Sequence, residues 1–163
     1  MADGSVESAF KFVAYNIHHA SLRMSQVEIG RQSRESDVWQ VKLGIAVPEY
    51  HVKRKAYVSA VSCGLFLFDK DPEKEGLLPE QAIVGLEMAI AGIFEVQADR
   101  LEKRTEEQLV RAQLPALLFP YLRGAMTSLL ANAGFGSVII PLINMNEAGK
   151  TALQDKEILI VDD

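Results

Sequence analysis

Three histidines and one cysteine are the side chains here that most readily support metal binding or nucleophilic chemistry. His18 and His19 are adjacent, so in an extended segment they point to opposite faces and cannot ligate one metal ion together. His51 lies far away in the sequence, and a zinc site would need further ligands at short spacing. Cys63 lies inside an apolar run, where a free cysteine normally packs as a small hydrophobic residue. The sequence therefore predicts neither a metal site nor a catalytic thiol.

Glu106 and Glu107 form the carboxylate pair most open to an acid–base interpretation. A catalytic pair needs an apolar pocket that separates the two acidities. These residues lie beside Lys103 and Arg104 at helical spacing, which favours a solvated helix face with ion pairs. No Cys-x-x-Cys, Gly-x-Ser-x-Gly, Walker-type or Gly-x-Gly-x-x-Gly element occurs. We therefore expect no catalytic residue and no cofactor, and a small-molecule enzyme is the least favoured of three hypotheses.

Four stretches predict strands: residues 10–24, 38–47, 56–68 and 87–96. Pro48 cannot donate to a ladder, so it ends or bulges the second strand, which can resume at Tyr50 and Val52. The proline of residues 79–81 can open a helix before the fourth strand. Short polar turns between the strands predict an antiparallel meander.

From residue 99 onward the apolar period becomes helical. One helix is predicted over residues 101–116 and a second over 119–133, with Pro120 in its first turn and the stop Gly-Phe-Gly behind it. The second helix is apolar on more than one side, so the core of one small domain cannot cover it and a second subunit must. The expected oligomer interface consists of Tyr121, Leu122, Ala125, Met126 and Leu129.

The composition describes an ordinary globular chain. Its 163 residues fit one domain, with 48% hydrophobic and 24% charged residues. A net charge of −5 argues against nucleic-acid binding, which needs a basic face. A single cysteine excludes an intramolecular disulfide and favours a reducing compartment. The first residues do not resemble a secretory signal, and prolines and an arginine interrupt residues 112–133 as a membrane span. We expect a cytoplasmic protein without membrane insertion.

Four segments of the chain resemble one known family. Residues 118–123 (Leu-Phe-Pro-Tyr-Leu-Arg) resemble the Leu-Phe-Pro-Tyr-Ala-Arg that opens the long helix of the SecB export-chaperone family. Residues 140–144 (Ile-Pro-Leu-Ile-Asn) are similar to the family's Ala-Pro-Val-Asn-Phe stretch. Residues 39–43 resemble its second strand, and residues 91–94 resemble the Gly-Gly-Ile-Phe that ends its fourth. The resemblance covers residues 10–148 in the same order.

The resemblance implies an α+β fold, a four-stranded antiparallel sheet with two helices packed on one face. It implies a homotetramer, a dimer of dimers, that holds unfolded preproteins without ATP and keeps them competent for translocation. The corresponding division is a flexible N-terminus at 1–9, a chaperone domain at 10–148 and a C-terminal tail at 149–163. Apolar residues that could line a client groove are Trp39, Leu43, Phe66, Phe94, Leu118 and Leu142.

Two partners remain open at this point. In the family the SecA motor docks on an acidic sheet surface, and Glu87 falls where the fourth strand offers such an acid. The corresponding acidic positions of the first strand appear here as His19 and Arg23, a reversal that weakens electrostatic docking. Some SecB-like proteins instead guard an antitoxin. The second hypothesis is therefore an adaptor dedicated to one partner such as an antitoxin.

Overall fold

The sheet and helices come from a computed structural model that describes residues 10–25, 34–97, 99–136, 138 and 140–163. In these residues six strands form one sheet. The helical elements are four α-helices, one 3-10 turn at Pro79–Gln81 and one π turn at Leu109–Gln113. The strands are β1 (Phe10–Met24), β2 (Val38–Ile45), β3 (Glu49–His51), β4 (Ala56–Phe68), β5 (Val84–Val96) and β6 (Leu159–Val161). The helices are α1 (Pro72–Glu75), α2 (Lys103–Gln108), α3 (Leu114–Asn132) and α4 (Met145–Ala152).

The strand order differs from the predicted meander. β1 pairs antiparallel with β5 rather than with β2. β4 pairs with β5 on one side and with both β2 and β3 on the other. The chain between β1 and β2 therefore connects strands about 14 Å apart, three interstrand spacings. This is a Greek-key arrangement if β2 and β3 are counted as one interrupted strand. That strand, β4 and β5 then lie side by side in chain order, and β1 lies beside β5. Period-two patterning identifies strands but carries no information about which strands pair.

The sheet has six strands, so the predicted four-stranded sheet is wrong in number. The stretch predicted as one strand around Pro48 is divided, and β2 and β3 both pair antiparallel with β4 on either side of it. The interruption at this proline is thereby confirmed. The short strand β6 pairs parallel with β3 and adds a sixth strand.

The two predicted long helices are one continuous helical stretch from Lys103 to Asn132. The π turn joins α2 to α3, and Pro120 lies inside α3 rather than in the first turn of a new helix. A proline inside a helix removes one backbone hydrogen bond but does not always end it. Behind the helix, Gly134 has a φ of 93° and Gly136 a φ of 33°, which confirms the predicted stop.

The continuous helix is long and apolar enough to cross a membrane, judged by length and composition alone. This differs from the expectation that its prolines would interrupt such a span, because the prolines leave the helix intact. A core helix of a soluble protein meets the same two criteria, and one face of α3 packs on the sheet.

The main core lies between α3 and the middle of the sheet. The helix presents residues at spacings of four, Leu118, Leu122, Met126 and Leu130, and all four are buried. They face alternate residues of β4 and β5, which are buried as well. Gly92 of β5 makes the close approach possible, since a Cβ there would overlap Cδ2 of Leu118. Further fully buried side chains are Tyr57, Leu65, Leu86, Ile90 and Phe94.

Helix α4 packs against the π turn and α3, and it contacts β2. The side chain of Asn144 caps it by accepting a hydrogen bond of 3.3 Å from the backbone of Glu147. Gly149 lies against the backbone carbonyl of Arg111, at a distance that leaves no room for a side chain. The boundary proposed between residues 148 and 149 falls inside this helix, and the division into domain and tail stays a prediction.

We expect Gly149→Ala to lower the free energy of unfolding by about 1–3 kcal/mol, although alanine is the better helix former. The added methyl would meet a backbone carbonyl that cannot rotate away. The matched control is Thr151→Ala on the exposed side of the same helix, which should change stability by no more than about 0.5 kcal/mol. Urea unfolding measures both, and equal midpoints would contradict the contact.

Candidate binding surfaces

Glu106 belongs to a buried polar joint between the sheet and the start of α2. Its carboxylate accepts a hydrogen bond of 2.6 Å from the hydroxyl of Tyr57. Arg100 donates two more, of 2.7 and 2.9 Å, from Nε and Nη2. The prediction of a solvated carboxylate is therefore wrong for this residue, which is 3% exposed. Glu107 does lie near the surface, with Arg111 at 4.0 Å.

The protonation states of this joint are fixed rather than poised for catalysis. Burial raises the pKa of Glu106, but the hydrogen bonds from Arg100 and Tyr57 outweigh it, and the pKa lies below its ordinary value. Burial and the bond to Glu106 raise the pKa of the Tyr57 hydroxyl. A carboxylate that stays ionised beside a phenol that stays protonated performs no acid–base cycle near neutral pH. Its role is to fix the helix to the sheet.

The other residues considered for chemistry lie apart from one another. Cys63 is buried, and that burial raises the pKa of its thiol to about 11. His19 lies opposite Ala89 on β5, whereas His51 contacts Glu49 and Asp163 at the far edge of the sheet. In the part of the chain that the structure describes, no group of three His, Cys, Asp or Glu side chains is placed to hold a metal ion.

An apolar surface covers the junction of β1 and α3. It consists of Phe12, Tyr15, Ile17, Leu117 and Tyr121, which are between 37% and 51% exposed. The ring of Tyr121 lies 5.4 Å from that of Phe12 and 4.7 Å from that of Tyr15, measured between centroids. We call this set the β1–α3 surface. Exposed aromatic side chains in mutual contact are typical of surfaces that bind other chains.

Sequence reasoning missed the β1 part of this surface because β1 does not keep a strict alternation. Its pairing with β5 shifts between Phe12 and Ala14, and again between Ile17 and His19. Each bulge adds one residue and turns the following side chains to the other face. Phe12 and Tyr15, three residues apart, therefore both reach Tyr121. The mixed pattern of residues 10–15 was the available signal.

The outward face of α3 continues the same surface. None of the exposed residues of this helix carries a charge, and the face has the composition of an interface rather than of a wetted helix. The exposed residues are Leu117, Pro120, Tyr121, Gly124, Thr127, Ser128, Ala131 and Asn132.

A groove runs between α3 and the extended segment that follows it. Its volume is about 510 Å³, and its lining is mixed, with polar as well as apolar side chains: Pro120, Arg123, Gly124, Thr127, Ser128, Val138 and Ile140. Two residues beyond Ile140, Leu142 is 84% exposed, the highest value among the large exposed hydrophobic side chains of the described chain. The groove thus offers apolar and polar contacts together, and a strongly exposed leucine follows its last lining residue by two positions.

The sheet face opposite α3 carries mixed charge. A depression of about 380 Å³ is lined by, among others, His19, Lys42, Phe66 and Glu87. Lys42 Nζ lies 5.9 Å from the ring centroid of Phe66. Arg23 is engaged at the end of this face, where it donates to the carbonyls of Pro79 and Ala82. Glu87 is exposed, and Lys42 lines the same depression.

The structure does not bring the six predicted client-binding residues together. Phe94 and Leu118 are fully buried in the main core, and Phe66 belongs to a smaller cluster with Phe68 and Ala82. Trp39 and Leu43 are half-buried against the main core, and only Leu142 is strongly exposed.

The predicted interface residues divide in the same way. Leu122 and Met126 have no accessible surface, because both pack into the core of their own chain. Tyr121 is 42% exposed, and Ala125 and Leu129 are half-buried beside it. A side chain without accessible surface cannot contact a second protomer unless the core opens.

The fold and surfaces define a class of protein: an α+β chain with a long helix across a Greek-key sheet and exposed apolar side chains. A family model described as "Preprotein translocase subunit SecB" matches residues 73–155, half of the chain. The chain belongs to the SecB family. The solved SecB-like chaperone Rv1957 of Mycobacterium tuberculosis, in complex with a ChAD peptide from the Rv1956 HigA1 antitoxin, is similar in fold. Its TM-score is 0.60 at 12% identity, and the match covers 83% of this chain and 91% of that one.

Three curated relatives are each named protein-export protein SecB. The protein of Aromatoleum aromaticum is 30% identical over 98 residues, which cover 60% of each chain. That of Dechloromonas aromatica is 29% identical over 79 residues, 48% of this chain and 51% of the relative. That of Chromobacterium violaceum is 29% identical over 105 residues, 64% of this chain and 69% of the relative. The match to the first two thus spans between half and two thirds of their length.

We expect Glu106→Gln to lower the free energy of unfolding at neutral pH by about 1.5–3 kcal/mol, the contribution of charged hydrogen bonds. Because the folded pKa of Glu106 is lowered from 4.5, the wild type loses this contribution as pH falls below that value. The difference between wild type and variant should therefore shrink in acid. Urea unfolding at several pH values measures it, with the near-surface Glu107→Gln as control, expected to cost at most about 0.5 kcal/mol. A constant difference between the two curves at all pH values would refute the assignment.

Proposed function

We propose that this protein is an ATP-independent chaperone, a holdase that binds unfolded preproteins through apolar grooves and keeps them competent for translocation. The observation that carries the proposal is the groove between α3 and the following segment, with Leu142 strongly exposed two residues after Ile140 of its lining. Membership of the SecB family and the names of the relatives support it. Binding without catalysis also agrees with the fixed charges around Glu106.

The proposed client surface uses apolar side chains that a guest can reach. Leu142 and the groove floor are its centre, and the half-buried Trp39 and Leu43 are available at the edge of the core. Phe66, Phe94 and Leu118 support this surface from beneath, since they are buried. An extended apolar segment would gain mainly hydrophobic contact, with weak sequence preference.

We expect the wild type to suppress aggregation of a reduced, unfolded test protein at about one chain per client. Leu142→Ser should raise the concentration for half-suppression on the order of tenfold, since one leucine contact is lost. Leu78→Ser is the matched control, because Leu78 is also strongly exposed but lies near the 3-10 turn, away from the groove. Light scattering reads out all three proteins. Unchanged scattering with excess wild type would refute the proposal. An equal loss of suppression in both variants would show that the client site is not centred on Leu142.

We also propose that the chain assembles as a homotetramer, a dimer of dimers, with the β1–α3 surface and the adjoining side of α3 covered by partner chains, while the groove along the other side of α3 stays open. Tyr121, Ala125 and Leu129 then lie in the interface. An uncharged helix face with exposed leucine and tyrosine has less to gain from water than from a second copy.

We expect a solution mass of four times the 18.0 kDa chain mass by light scattering. Leu117→Asp should lower this mass, because Leu117 belongs to the β1–α3 surface and the change buries a charge in the proposed interface at a cost of several kcal/mol. In a lone chain the same change, at a leucine that is 51% exposed, would cost much less. Gln108→Asp, exposed on α2, is the control and should leave the mass intact. A folded wild-type monomer in dilute buffer would rule out the assembly.

A second candidate function is an adaptor dedicated to one partner such as an antitoxin. It is favoured by the mixed charge of the sheet face that carries Glu87, His19 and Lys42, which suits an acidic motor-docking surface poorly. A competition panel separates the candidates, because a dedicated adaptor would not bind generic unfolded clients.

We place the protein in the cytoplasm, where the SecA motor would be its export partner and Glu87 the acidic contact.

A further inference from the structure

The short strand β6 lies on the outer edge of β3. The backbone N–H of Leu159 donates to the carbonyl of Pro48, and that of Val52 donates to the carbonyl of Val161, both at 3.0 Å. Leu159 and Ile160 are 52% and 58% exposed, so their side chains add little hydrophobic stabilisation. A three-residue strand held mainly by backbone hydrogen bonds is easily displaced.

The residues before β6 are anchored much more firmly. Leu153 and Ile158 are buried. Arg111 donates to the carbonyls of Gln154 and Lys156, at 3.3 and 2.6 Å. Detachment therefore involves the residues after Ile158 and leaves the rest of the chain in place.

An ionic contact holds the end of this strand. Asp163 Oδ2 lies 2.8 Å from Nδ1 of His51, and Glu49 Oε2 lies 3.2 Å from Nε2 of the same ring. Arg54 Nε approaches Asp163 at 3.6 Å. The hydrogen bond with Asp163 is the main reason that the pKa of His51 lies above its ordinary 6.5, and the bond with Glu49 adds to it against the effect of burial.

We propose that β6 is a displaceable occupant of the outer edge of β3, latched by the ion pair between His51 and Asp163, and that its release opens this edge to strand addition by an extended apolar segment of a client. The proposal rests on the proposed holdase function for the identity of the guest. The strand that occupies the edge, Leu-Ile-Val, is itself such a segment. Exposed sheet edges bind guests in this way, through main-chain hydrogen bonds.

The sign of the pH dependence follows from the charges. Protonated His51 faces the two carboxylates of Glu49 and Asp163, so the latch is closed at low pH. As pH rises through the raised pKa of His51, the ring becomes neutral and this contribution is lost. Arg54 remains charged and keeps a weaker hold on Asp163. The edge therefore opens towards neutral and higher pH.

The test uses the full chain and a fluorescent peptide, Glu-Ile-Leu-Ile-Val-Asn-Asn, which copies residues 157–163 without the terminal acids. Its binding to wild type should strengthen about two- to fivefold between about pH 5.5 and about pH 8, as the competing strand loses its ion pair. In His51→Gln the binding should be independent of pH. Equal affinity at both pH values in the wild type would overturn the latch.

A second combination of chain and peptide should reverse the direction of the pH dependence. The Asp163→Asn chain is titrated with the acidic peptide Glu-Ile-Leu-Ile-Val-Asp-Asp, so that the peptide, in place of residue 163, supplies the second carboxylate to His51 beside Glu49. Its binding should strengthen as pH falls, by a similar factor. A general effect of pH on the fold would move both pairings in the same direction, and that outcome would refute the proposal.

Hydrogen exchange and solution mass test the edge site independently of the aggregation assay. The amides of Val52 and Leu159 should lose protection in His51→Gln while core amides keep theirs. A mass that rises with pH without peptide would assign the edge to the strand of a second copy and overturn the client assignment. If peptide addition fails while aggregation is still suppressed, the holdase function stands and the edge site falls. If the peptide binds but aggregation is not suppressed, the holdase function is refuted and the edge site stands.

Discussion

The contact of Leu118 with Gly92 is the constraint on which the rest of the structure depends. A glycine in the middle of β5 lets the side chain of Leu118 approach the sheet closely, since a Cβ at that position would overlap its Cδ2. Leucine and methionine at every fourth position then reach the alternate residues of β4 and β5. Because close-packed interiors tolerate added volume poorly, this approach fixes the height and the rotation of the whole helix.

Once that rotation is fixed, the outer face of α3 is fixed too. The buried side uses the leucines at 118, 122 and 130, so the uncharged side with Leu117 and Tyr121 must face outward. At the start of the helical stretch, Glu106 accepts one hydrogen bond from Tyr57 of β4 and two from Arg100, which precedes α2. Such a joint restrains a long helix on a small sheet without adding any chemistry of its own.

The two ends of the sheet differ in how their backbone groups are used. Among the described residues, β1 is the last strand at one end, and its bulges bring aromatic side chains onto the face shared with α3. At the other end β3 is covered by a strand from a distant part of the sequence. One end therefore presents aromatic side chains, while at the other end β3 is paired with a three-residue strand. The difference arises from length and composition, because β1 is long and partly aromatic whereas β6 has only three residues.

By itself the sequence determined the elements whose signals are local. The bounds of β1 and β4, the interruption at Pro48, the helix stop at Gly134 and the family resemblance of residues 118–123 all followed from neighbouring residue types. Only tertiary structure decided which strands pair, that two helices join through a π turn, and that Glu106 is buried while Leu142 is exposed. Pairing and burial depend on contacts between residues far apart in the chain, such as Tyr57 with Glu106, and periodicity within a segment does not record them.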